Sequence, residues 1–192
     1  MTETTPAAEH RLVAGHFAEL VRGAPTDAWD QPSPVPGWRA RDVVGHLVEW
    51  LRAFLDGGAG VLLPAGPSAV EDAVAAWQAH HDAVQSLLED PATHGRTLSN
   101  PHIGELPLDE AIDRFYTGDV FLHSWDLARA TGQDPALDPG RCAAMLAGME
   151  PLDDVLRQSG QYGPRVPVRD DAPVQDRLVG FIGRDPGWRL DG

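Results

Sequence analysis

The sequence predicts an all-α protein, a four-helix bundle with an additional C-terminal helical segment. Three observations carry that expectation. Long segments repeat apolar residues at helical spacing, proline and glycine clusters separate them, and no stretch alternates well enough to make a sheet. Four or five such amphipathic segments form a bundle, whose sites are built by side chains projecting inward from facing helices.

Ala7 to Arg22 carries Leu12, Val13, Phe17, Leu20 and Val21 and stops at Gly23-Ala24-Pro25. Thr26 to Trp38 is a loop with Pro25, Pro32, Pro34 and Pro36 in or beside it, and Pro34-Val35-Pro36-Gly37-Trp38 delivers the chain into the second helix. That helix runs from about Arg39 to Asp56, with Val43, Leu47, Trp50 and Phe54 as its apolar stripe, and ends in Gly57-Gly58. The third spans about Ser68 to Glu89, with Ser68 as N-cap, Glu71 at the capping-box position and Pro91 closing it. Thr93 to Pro107 reads as a loop or one short hairpin. A fourth helix covers Leu108 to Ala130, striped by Leu108, Ile112, Phe115, Leu122 and Ala130 and stopped by Thr131-Gly132; a fifth covers Pro139 to Arg157. Ser159 to Gly192 is rich in Gly, Pro and charge, with one short helix expected from Val174 to Ile182.

At 192 residues the chain can bury a proper core and is expected to form one domain over 1–192, with about 1–8 as a flexible N-terminus. All 15 basic residues are Arg, and with 29 acidic residues the net charge is -14, which argues against nucleic-acid and anionic-membrane partners. Met1 to Ala8 lacks the pattern of a signal peptide and no apolar run is long enough to span a bilayer, so the expected location is cytoplasmic, with no membrane partner. Cys142 is the only cysteine, which excludes an intrachain disulfide and a cysteine-based zinc cluster; in its Ala-rich run it reads as a small core filler.

Against this background three polar side chains stand where core residues belong. His46 lies beside Leu47 on the stripe of the second helix, and Asp119 and His123 fall among the apolar positions of the fourth. Buried polar groups without partners cost about 1–3 kcal/mol each, and a bare charge costs more. A shared divalent metal removes that cost; a buried hydrogen-bonded pair is the other reading of Asp119 and His123. Two further Asp-x-x-x-His pairs have ordinary explanations: Asp90 and His94 are separated by Pro91, and Asp42 sits in a first helical turn, where a carboxylate faces the helix dipole. Glu49, three residues after His46, is a candidate fourth ligand, a hydrogen-bond partner for one of the ligands, or a solvated face residue. Asp126 can accept the other N–H of His123 and fix its tautomer, or can pair with Arg129 at the surface. His80 and His81 are adjacent and cannot share a helical face, and His10, His16, His94 and His102 show no pattern beyond surface or loop placement.

Pro36-Gly37-Trp38-Arg39-Ala40-Arg41-Asp42-Val43-Val44-Gly45-His46-Leu47, followed downstream by Asp119-Val120-Phe121-Leu122-His123-Ser124-Trp125-Asp126-Leu127-Ala128-Arg129-Ala130-Thr131-Gly132, resembles the DinB-like superfamily, in particular the metal-binding proteins grouped with mycothiol-dependent maleylpyruvate isomerase. The closing Asp176 to Trp188 is similar to the tail of one branch of that group. The resemblance implies a four-helix bundle holding a divalent metal through a second-helix histidine and a carboxylate-x-x-x-His or His-x-x-x-His pair, roles that fall on His46, Asp119 and His123. The departure is Asp119, where the isomerase has the longer Glu and many DinB-like proteins have His. Members with an assigned reaction use a low-molecular-weight thiol, as transferases or isomerases.

Two function classes follow. The first is a metal-dependent enzyme that uses a mycothiol-type thiol on a small electrophilic substrate, with Arg129 or an arginine of the C-terminal stretch as the candidate for an anionic group. The second is a non-catalytic metal-binding bundle, homodimeric in one version. His and carboxylate ligands suit zinc, placed first, and also nickel or iron. A three-ligand site leaves a coordination position open, which favours the enzyme.

Overall fold

The computed structural model describes residues 4–101 and 103–190; His102, residues 1–3 of the expected flexible N-terminus, and residues 191–192 lie outside them. Helix α1 is Pro6–Gly23, with the Thr5 hydroxyl accepting the Ala8 N–H at 3.3 Å. Pro6 to Ala8, expected to be flexible, are thus its first turn. Proline suits that position because its missing N–H would have had no helical partner.

Helix α2 is Ala40–Ala59, and Asp42 at its start accepts the Arg39 N–H at 2.8 Å. The stop expected at Gly57-Gly58 is corrected: the helix runs through both glycines and ends at Gly60, in the left-handed region with φ of 60°. Gly58 serves packing instead, since a Cβ there would sit 2.8 Å from Leu98 Cγ of the following hairpin. That hairpin pairs β1 (Thr97–Asn100) antiparallel with β2 (Gly104–Pro107), Leu98 opposite Leu106.

Helix α3 is Ala73–Glu89, which begins later than expected. Ser68 closes a separate turn, its carbonyl accepting from Glu71 and Asp72, and the extended backbone at Asp72 breaks the chain before the helix starts. Asp72 is the N-cap, its Oδ1 accepting the Ala75 N–H at 2.9 Å. The fourth predicted helix is continuous but not uniform: α4 (Leu108–Ala111) passes through a π-helical turn (Ile112–Thr117) into α5 (Gly118–Ala130). The fifth is divided at Pro151 by a 3-10 turn, giving α6 (Pro139–Met149) and α7 (Asp153–Gln158). Helix α8 is Val174–Phe181.

The four long helical segments close a ring in which α1 and α2 each pack against both α3 and α5. Phe17, Val43, Leu47, Trp77, Tyr116 and Trp125 fill its interior. Helices α6 and α8 pack on each other and extend the same core through Cys142, Leu146, Leu178 and Phe181. Burial pushes the Cys142 thiol up to about 11, so it stays an unreactive thiol at neutral pH. No helix among the described residues is long and apolar enough to cross a membrane.

The capping geometry is testable. Asp72→Ala should lower unfolding free energy by about 0.5–2 kcal/mol, whereas Ser68→Ala should change it by less than about 0.5 kcal/mol. Urea titration of both variants measures this, and the reverse order would place the helix start at Ser68.

Candidate metal centre

His46 comes from α2 and Asp119 and His123 from α5, two helices that pack directly against each other. The wide turn at Ile112–Thr117 sits immediately before Asp119 and sets the rotational phase of the residues that follow. One ligand atom from each of the three residues lies within 4.8 Å of the other two, the one such group among the described residues. His46 Nε2 is 3.1 Å from Asp119 Oδ2, and His123 Nε2 is 3.5 Å from Asp119 Oδ1. The short aspartate arm therefore reaches both imidazoles.

The surroundings of the triad are asymmetric. The His123 side chain is 6% exposed, against 22% for Asp119 and 32% for His46, so the cluster is closed beneath His123 and open beside His46. Two tryptophans frame it. Trp50, one turn after His46, donates its indole N–H to Asp119 Oδ2 at 2.9 Å. Trp38 lies 4.9 Å from the His46 ring and 5.8 Å from the His123 ring, almost parallel to the latter. It is held there by a tight turn, in which Trp38 N–H donates to Val35 and its carbonyl accepts from Ser33.

Burial alone would raise the Asp119 carboxyl, but the His123 charge and the bonds from His46 and Trp50 outweigh it and hold the group below the usual carboxylate value. For His123, burial works downward, while Asp119 and Asp126 work upward and prevail. The Tyr162 hydroxyl is pushed up to about 12 by burial and then by the Asp119 charge, which keeps it a donor at neutral pH.

Behind His123 stands Asp126, fully buried, whose Oδ2 is 2.8 Å from His123 Nδ1. The cation on Asp126 is Arg184, a residue the sequence reading did not single out, with Nε and Nη2 each 3.2 Å from a carboxylate oxygen. Arg129 instead lies over the Trp125 ring at 5.2 Å and donates to the Pro186 carbonyl. Glu49 is exposed and makes no hydrogen bond or ion pair with the triad.

The donor set fits a divalent ion. Two imidazole nitrogens and a carboxylate oxygen converge from three sides, and His123 is oriented by a carboxylate on its other nitrogen, the usual arrangement behind a metal-bound histidine. The fold and this cluster together define a helical bundle able to coordinate a divalent metal between two of its helices. Residues 10–128 match the Mycothiol maleylpyruvate isomerase N-terminal domain, and the chain belongs to that family. Two uncharacterized proteins of Mycobacterium tuberculosis, from strains CDC 1551 / Oshkosh and ATCC 25618 / H37Rv, are each 29% identical over 181 residues, which cover 93% of this chain and 97% of theirs. No solved structure matches.

A second polar group overturns the surface reading of His10, which is 0% exposed, and includes His80, which is 4% exposed. Gln85 donates its amide N–H groups to the Ala7 carbonyl and Glu89, so its oxygen faces His10 Nδ1 at 2.8 Å and that nitrogen carries the proton. His10 Nε2, both His80 nitrogens and the Tyr116 hydroxyl are buried without a protein partner among the described residues. Tyr116, in the π turn, lies 6.0 Å from His10 and 5.6 Å from His80, ring to ring.

Burial lowers His10 from its ordinary 6.5 to about 4, against the pull of Gln85, and lowers His80 to about 3, with His10 adding to the effect. Both are neutral in the fold but protonate in the unfolded chain below about pH 6.5, so the unfolded state binds more protons as pH falls and stability is lost from there downward. Metal-free protein should lose stability between pH 6.5 and 4, and His80→Phe should reduce that slope by about one proton. Urea midpoints across this range, equal in slope for both proteins, would contradict the burial argument.

Proposed function

We propose that the protein is a divalent-metal-dependent enzyme that uses a low-molecular-weight thiol of the mycothiol type, as a transferase or isomerase acting on a small electrophilic substrate. The observation that carries this reading is the convergence of His46, Asp119 and His123 within 4.8 Å, open on the His46 side. Membership of a family described by mycothiol and maleylpyruvate isomerase supports the thiol.

His46, Asp119 and His123 would hold the ion, zinc first among zinc, nickel and iron, and leave a position for a thiol sulfur. Bound there, a divalent ion supplies the positive charge that lowers a thiol's pKa and makes thiolate available at neutral pH. The protein's own groups do the remaining work. Asp126 holds the His123 Nδ1 proton, so that Nε2 is the nitrogen that would give up its proton and turn its lone pair to the ion. Trp38 covers the two imidazoles on one side and keeps water from that face. Tyr162 is a protonated hydroxyl near Asp119, able to donate to an oxygen of the substrate.

The same reading places the chain in the cytoplasm, where low-molecular-weight thiols are kept reduced, and the single buried Cys142 accords with it. A purely structural ion would be enclosed by four protein ligands, whereas three converge here. Elemental analysis of the purified chain should find about one divalent ion per chain, and His46→Ala should lose most of it together with thiol-dependent turnover. Full occupancy and unchanged turnover in His46→Ala would refute the reading; metal loss that lowers only thermal stability, with no thiol-dependent turnover in the parent, would identify a non-catalytic metal-binding bundle.

A further inference from the structure

The family match ends at residue 128, yet the remainder of the chain reaches the carboxylate behind His123 through the Arg184 side chain. Arg184 meets both oxygens of Asp126 at 3.2 Å, and Asp126 is fully buried while the Arg184 side chain is 13% exposed. A guanidinium offers only donors, so Asp126 faces it as an acceptor. Its Oδ2 then accepts from His123 Nδ1 as well, which fixes a proton on that nitrogen and the direction in which the ring points Nε2.

Arg184 does not reach this position by chance of a loose tail. It follows Gly183, whose φ of 87° and close approach to Gly163 and Pro164, 3.0 Å from a Cβ built there, leave no room for another residue. Its own N–H donates to the Val179 carbonyl at 3.0 Å, and Val166 N–H donates to the Gly180 carbonyl at 2.9 Å. Arg157 of α7 bonds the carbonyls of Gly163 and Phe181 and lies 4.9 Å over the Phe181 ring. The end of α8, the segment after α7 and α7 itself are thereby joined into one clasp. Its contribution to the bundle's polar interior is the Arg184 guanidinium.

We propose that Arg184 is a positioning residue: the docked C-terminal clasp sets the aim of the His123 ring through Asp126, so that ion binding at the triad and docking of residues 159–190 are coupled. The coupling rests on the metal reading above; the setting of the His123 ring does not. Because linkage is reciprocal, an ion at the triad tightens the clasp as much as the clasp tightens the ion.

The test uses the full chain with Arg184→Gln and Arg184→Lys, metal-free and loaded with zinc. Competition against a chelating dye should show zinc affinity about 10–100-fold weaker in Arg184→Gln. Arg184→Lys, which keeps the charge but not the two-pronged geometry, should fall between. Zinc should slow proteolysis between residues 159 and 172 in the parent and not in Arg184→Gln. In metal-free protein, the His123 Nδ1–H should give a downfield, slowly exchanging NMR signal in the parent and a shifted, rapidly exchanging one in Arg184→Gln.

A folded Arg184→Gln with parental zinc affinity and an unchanged His123 Nδ1–H signal would overturn the proposal. If Arg184→Gln does not fold, the same comparison is decided on Arg184→Lys. If the parent binds no zinc, nickel or iron, the metal reading and the coupling both fail, while the metal-free ring signals still decide whether Arg184 positions His123.

Discussion

A carboxylate has been placed between two packed helices, and most of the surrounding arrangement answers the electrostatic problem this creates. Asp119 would be driven toward its neutral form by burial alone, yet His46, His123 and Trp50 each direct an N–H or a partial positive charge at its two oxygens. Those groups belong to α2 and α5, so satisfying the carboxylate also fixes how these helices dock. The geometry that suits an ion is the one that solvates Asp119 without it.

Polar contacts continue outward from this point in layers. His123 leans on Asp126, Asp126 on Arg184, and Arg184 on a clasp assembled from α7, the segment after it and the end of α8. Each charge that enters the interior brings its opposite with it, as burial requires. The histidine group between α1, α3 and the π turn follows a different rule: His10 and His80 remain uncharged, and burial is tolerated because neutrality lowers its cost.

The bundle and the triad were legible because both rest on helical periodicity. A polar residue on an apolar stripe stands out, and that criterion isolated His46, Asp119 and His123; the three-residue step to Asp126 named the orienting carboxylate. The same criterion, applied to Val13, Ala14 and Phe17 in α1 or to Ala76, Trp77 and Val84 in α3, would also have drawn His10 and His80 inside. Trp50 carried a signal too, one turn after His46 on the same face. Arg184 carried none. Its pairing with Asp126 spans 58 residues and depends on how a proline- and glycine-rich segment folds back, which no local periodicity encodes. Helix boundaries failed for a related reason: Asp72 and Ser68 are both competent caps, and Gly57-Gly58 looks like a terminator until the hairpin that needs the space is known.

The π turn gives the long fourth segment two independent orientations in one rod. An ordinary α-helix advances about 100° per residue, so the extra residue in the wide turn rotates everything beyond it by roughly that angle relative to Leu108. The first half can therefore be indexed to the hairpin while the second is indexed to α1 and α2. Shortening Ile112–Thr117 by one residue would preserve the composition and the helix, yet swing Asp119 and His123 off the His46 meridian. In this bundle the wide turn works as an indexing step between scaffold and site.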